Sequence, residues 1–286
     1  MTATTSSHRL AGTLAVAGAA GLWGLWSLFL RPSGLPVATF SLLVFALMAV
    51  TALPLIPRDP PAVWSRRAWL LLLANGVCDA TNVLTFFGAM QRTTVAVAVL
   101  THYLAPVLIA LLAPVVERER VPNAIPGAFV ACFGLALVLE PWRGGGTAAV
   151  EGALLGTASA VAYCGNVFAV RRLTPLIGAA RTMSYHSMIA VVLMAPFALH
   201  AGVVPGGEAL AWVVSGTLVL GTAAGLAFIR GLAIIGASRA AMLTYLEPLV
   251  GVVVGALAWG ETVRPLALAG VALIVGSGVW VARPRP

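Results

Sequence analysis

Asn75, Asp79, Asn82 and Phe86 recur at spacings of four, three and four along an otherwise apolar stretch, so on a helix they share one face. A carboxyl group between two carboxamides can hold a polar solute, or take up and release a proton. Roughly 16 Å of helix separates Asp79 from the start of its stretch, far from either polar end. His102 is its natural partner, because imidazole changes charge near neutral pH and suits proton exchange. Pro106 cannot donate to the carbonyl of His102, so a kink and a polar spot are expected there, beside Tyr103.

The arrangement returns later in the chain. Tyr103-Leu104-Ala105-Pro106 is matched by Tyr245-Leu246-Glu247-Pro248, and Pro248 withholds its donor from the carbonyl of Thr244. Tyr245 and Glu247 point about 200° apart on an ideal helix, so one faces a cavity and the other faces neighbouring helices. Ser159, Tyr163 and Asn166 form a further shared face, and Trp23 is the positional equivalent of Tyr163 in the first stretch. The substrate-binding candidates are therefore Trp23, Asn75, Asp79, Asn82, His102, Tyr103, Tyr163, Asn166, Thr244, Tyr245 and Glu247, with Pro106 and Pro248 as helix kinks. The plainer readings are a neutral Asp79 fastened to Asn75 or Asn82, a structural His102, and a Glu247 paired with Arg230 or Arg239.

What must position these groups follows from composition. With 60% hydrophobic residues, 9% charged residues and a mean hydropathy of +0.99, the chain cannot hide its apolar surface inside a water-soluble fold. Ten apolar stretches are expected as membrane-crossing helices: Leu10–Leu30, Leu35–Ile56, Ala68–Met90, Val95–Val116, Ala124–Glu140, Gly152–Val170, Met183–Val204, Leu210–Ile235, Arg239–Gly260 and Pro265–Val281. Short connections make neighbours antiparallel.

The formal charge of +8 does not imply nucleic acid, because the basic residues, all arginine, lie singly or in pairs at helix ends. They report orientation instead. With the N-terminus in the cytoplasm only Arg31, Arg92, Arg143 and Arg264 fall on the far side, and the other arginines, among them Arg283 and Arg285, fall inside. Both termini are therefore expected to be cytoplasmic. Cys78, Cys132 and Cys164 sit apart within apolar stretches, so neither a disulfide framework nor a metal site is expected, and no cofactor is.

A shift of 142 positions superposes Phe86 on Phe228, Tyr103 on Tyr245, Pro106 on Pro248 and Gly134 on Gly276. The chain thus reads as one all-α transmembrane domain over residues 1–286, made of two five-helix repeats at about 10–141 and 152–282. An odd number of crossings per repeat inverts the second copy, the plan by which secondary transporters build a site near the bilayer midplane.

These residues resemble the drug/metabolite transporter superfamily, specifically its ten-helix EamA-type members. The resemblance is carried by Leu22-Trp23-Gly24, by Leu243-Thr244-Tyr245-Leu246-Glu247-Pro248, and by Trp259-Gly260-Glu261. It implies an exporter or exchanger of the bacterial inner membrane, often for amino acids or related metabolites, working by alternating access. The expected partners are a small solute and the lipid bilayer, with protons as a candidate coupling ion through Asp79 and His102, and no nucleic acid. Oligomeric state is left open. No phosphate-binding Gly-rich motif is present, so gradients must supply the energy. Two competing readings are an exchanger of nucleotide sugars or phosphorylated metabolites, which would want more inward arginines than Arg230, and an intramembrane enzyme using Asp79 and His102.

Overall fold

The computed structural model describes residues 2–58, 62–118, 120–143 and 148–282; Arg283 and Arg285 lie outside them. Among the described residues the secondary structure is entirely helical. Nine helical stretches are long and apolar enough to cross a bilayer, and Pro265–Val281 forms a shorter apolar helix. Polarity is inside out, as lipid requires. Leu257 and Val192 are 84% and 71% exposed, whereas Asn75, Thr182, Ser184 and Ser187 are fully buried.

Several crossings are broken, and the breaks have identifiable causes. The first runs as α1 (Thr2–Trp23) and α2 (Ser27–Ser33), interrupted at Gly24 to Trp26. It is followed by α3 (Val37–Ala52) and the unbroken α4 (Arg66–Arg92). The fourth crossing is split into α5 (Val95–His102) and α6 (Ala105–Val116), because Pro106 has no N–H for the carbonyl of His102. The ninth crossing is split in the same way at Tyr245, into α12 (Ala237–Thr244) and α13 (Leu246–Trp259). The remaining helices are α7 (Ala124–Leu139), α8 (Ala148–Ile177), α9 (Ala179–His200), α10 (Gly207–Gly216), α11 (Ala224–Ile235) and α14 (Pro265–Ala282). Between α10 and α11 the chain winds as a π-helix over Thr217–Ala223.

The chain divides into two compact units. Unit 1 comprises Met1–Ala80 and Gly165–Ile235; unit 2 comprises Thr81–Cys164 and Gly236–Pro286. These are not the sequence halves, since each unit draws on both, and the divisions fall inside α4 and α8.

In unit 1, α1 packs on α11 and α3 on α9. The start of α4 meets the end of α8 through Ala68, Leu72, Leu173 and Ile177. In unit 2, α7 packs on α14, where a β-carbon at Gly134 would stand 2.7 Å from the carbonyl oxygen of Gly270, so only glycine permits the approach. Tyr103, Tyr245, Ala128, Leu135 and Ile274 belong to the buried core of this unit.

Candidate functional site

The polar stripe of α4 is present, and each member finds a different partner. In unit 2, Ser159 Oγ donates to Asn82 Oδ1 at 2.7 Å, and His102 Nδ1 lies 2.8 Å from the same hydroxyl. Ser159 has one proton, which Asn82 receives, so His102 Nδ1–H donates to Ser159 and Nε2 is left as the accepting nitrogen. The imidazole is surrounded by rings: Phe86 at 4.6 Å, Tyr103 at 5.2 Å edge-on and Tyr163 at 5.7 Å. Its tautomer, position and surroundings are thereby fixed.

Glu247 joins this group from α13. Its carboxyl is within hydrogen-bonding reach of the Tyr103 hydroxyl and remains half-buried. Tyr245 is 1% exposed; its hydroxyl donates to the carbonyl of Tyr103 at 3.1 Å, and its ring lies 5.8 Å from that of Tyr103. Of the two residues, Tyr245 is the packing one, and the partner of Glu247 is a tyrosine rather than the arginine considered from sequence. Thr244 is 2% exposed and donates back to Ala241 within its own helix, so its hydroxyl is spent on backbone.

The other candidates lie in unit 1. Asp79 does not take His102, as the sequence suggested, but His186 on α9, whose Nε2 is 3.0 Å from Asp79 Oδ2. Two histidines therefore have two separate partners. Asn166 Nδ2 donates to Asn75 Oδ1 at 2.8 Å, a buried amide pair joining α8 to α4. Trp23 donates its indole N–H to the carbonyl of Leu220 at 2.9 Å and rests against Phe228 at 4.9 Å. Leu220 is in the π-helix, where the i→i+4 ladder is broken and an outside donor is useful. Trp23, Asn75 and Asn166 are thus engaged with protein groups.

His186 is the residue that periodicity missed. Setting the start of the seventh crossing at Met183 leaves His186 near a helix end, where a histidine is unremarkable. The helix in fact begins at Ala179, which moves His186 two turns into it. No cluster of metal-binding side chains occurs among the described residues.

Long apolar helices, buried hydroxyls and amides, and ionisable side chains well inside the crossings define a polytopic α-helical membrane protein. The EamA-like transporter family profile matches residues 10–140 and again 150–283, and the chain belongs to this family. It is 29% identical over 284 residues to an uncharacterized transporter of Archaeoglobus fulgidus, covering 95% of this chain and 96% of that one. It is also 26% identical over 237 residues to the uncharacterized transporter YwfM of Bacillus subtilis, covering 78% and 79% of the two chains. A solved crystal structure superposes with a TM-score of 0.80 over 96% of this chain and 97% of its own, at 21% identity, which speaks for the fold.

Proposed function

We propose that the protein is a secondary exporter or exchanger of a small amphipathic metabolite, with an amino acid as the leading candidate, and that it works by alternating access with protons as the coupling ion. The observation that carries this reading is the group in unit 2: a carboxyl at Glu247, a fixed imidazole at His102 and the phenol of Tyr103, set among Phe86 and Tyr163. A carboxylate answers the ammonium of an amino acid, the accepting Nε2 of His102 can take a further ammonium hydrogen, and the rings suit an apolar side chain. A phosphorylated solute would need several arginines in the same place, and none is found in that group.

The reading extends to topology. The second and fifth crossings pack on the seventh and tenth, their counterparts in the other half, which supports a two-fold relation between inverted repeats of about 10–141 and 152–282. The arginine distribution supports a cytoplasmic location for both termini in a bacterial inner membrane.

Proteoliposomes preloaded with each of the common amino acids, then given the labelled form outside, test the reading. Exchange of a chemically unchanged amino acid supports it; recovery of a converted product without exchange supports the enzymatic alternative. Single cysteines placed near the two termini and reacted with a membrane-impermeant maleimide test the orientation, which fails if the termini label from opposite sides.

A further inference from the structure

We infer that Asp79 and His186 form a one-proton switch, in which proton loss moves the Asp79 carboxylate from His186 on α9 to the Asn75 amide on its own helix. The coupling role of this switch rests on the proposed function; its proton chemistry does not.

The argument is a count of hydrogens. His186 Nδ1 lies 2.7 Å from the carbonyl oxygen of Thr182, which can only accept, so Nδ1 carries a hydrogen. Across the ring, Nε2 is 3.0 Å from Asp79 Oδ2. A hydrogen bond there needs one further proton, either as Asp79–OH donating to Nε2 or as Nε2–H donating to the carboxylate. If that proton passes to water, two lone pairs face each other and the contact no longer holds. The carboxylate must then find another donor, because leaving it bare in an apolar setting is costly.

That donor exists one turn away. Asn75 is fully buried; its Oδ1 receives the Asn166 amide, while its Nδ2 has no partner. Residues 75 and 79 are neighbours on one helix face. An unpaired buried N–H beside a carboxyl that must sometimes be ionised is what the second position of such a switch requires.

α3, which packs on α9, has no ionisable residue and offers the ring of Phe45 at 6.4 Å from His186. Along α4 the neighbouring titratable group is Cys78. On α9, Arg181 donates to the carbonyls of Pro57 and Ile177, and Tyr185 stacks on Trp64. From α8, Arg171 donates to the carbonyl of Ala233, and Arg230 on α11 is exposed. Asp79 keeps 19% of its side chain accessible against 6% for His186, so the proton enters and leaves at the carboxyl.

Attenuated-total-reflection infrared spectra of the full chain in phosphatidylethanolamine and phosphatidylglycerol liposomes, recorded across pH, read this switch without any solute. The native chain should show a carboxylic-acid carbonyl band that disappears with rising pH. In Asp79→Asn that band should be absent, and in His186→Gln, which cannot reproduce the ring contact, its frequency should move. In a second arm, a pH gradient should drive accumulation of a labelled amino-acid mixture by the native chain, and the accumulation ratio should fall at least about fivefold in Asp79→Asn. Monodisperse elution of each variant shows that it is folded. Titrating carboxylic-acid bands that are the same in all three proteins, with none lost in Asp79→Asn, overturn the inference. If the native chain carries no amino acid, the proposed function fails while the infrared arm still decides the switch.

Discussion

A β-carbon at Gly76 would stand 2.5 Å from Ile189 Cβ and 3.1 Å from the carbonyl oxygen of His186, so α4 and α9 meet only because residue 76 has no side chain. The same approach brings Asp79, one turn further along α4, to within 3.0 Å of the His186 ring.

Gly76→Ala should therefore push the two helices apart, at a cost of about 1–3 kcal/mol from overpacking. The measurement is the thermal midpoint in detergent. Ile189→Ala removes the γ-methyl that would lie 2.6 Å from the new carbon and should recover part of the loss. Equal stability of Gly76→Ala and the native chain would show that the contact is looser than described.

The Asn75–Asn166 pair predicts non-additivity. Asn166→Leu leaves Asn75 Oδ1 without its donor, and Asn75→Leu leaves the Asn166 amide only the longer contact to the backbone carbonyl of residue 75, at 3.5 Å. Each change should cost about 1–2 kcal/mol, while a double-mutant cycle should return a coupling of about 0.6 kcal/mol, the average for such bonds inside membranes, and no more than about 1.7 kcal/mol.

Much of this was legible in the sequence, for reasons that can be named. Pro106 and Pro248 act through their own covalent structure, so the breaks at Tyr103 and Tyr245 needed no knowledge of neighbours. The face shared by Asn75, Asp79, Asn82 and Phe86 follows from helical geometry alone. Partners are another matter, because they depend on how helices approach and at what register. Gly76 sets that approach for Asp79, and nothing local to residue 79 announces it. The π-helix at Thr217–Ala223 contains no proline; its distinguishing contact is the Trp23 indole, which is 197 positions away in sequence from Leu220.

Trp23→Phe tests that last contact. It keeps a ring against Phe228 but removes the donor from the Leu220 carbonyl. Stability should fall by about 1–3 kcal/mol, the cost of an unpaired buried polar group. Amide hydrogen exchange should quicken over 217–223 more than elsewhere in unit 1; uniform exchange would contradict the assignment.

Tyr245 and Glu247 should separate cleanly. Tyr245→Phe removes the hydroxyl bonded to Tyr103 and should lower stability by about 1 kcal/mol, with solute affinity changed less than about twofold. Glu247→Gln keeps the shape beside the Tyr103 hydroxyl but removes the ionisable carboxyl, and should weaken solute affinity by about tenfold or more. The opposite pattern would exchange their roles.

The most direct test of the account is counterflow of labelled amino acids by the native chain and by His102→Ala, reconstituted side by side. The expected result is exchange of at least one unchanged amino acid by the native chain, with apparent affinity about tenfold or more weaker in His102→Ala, which takes away the imidazole held between Ser159 and the rings of Phe86 and Tyr163. Exchange with the same affinity in both proteins would move the solute away from His102, and no exchange of any amino acid by the native chain would contradict the proposed cargo.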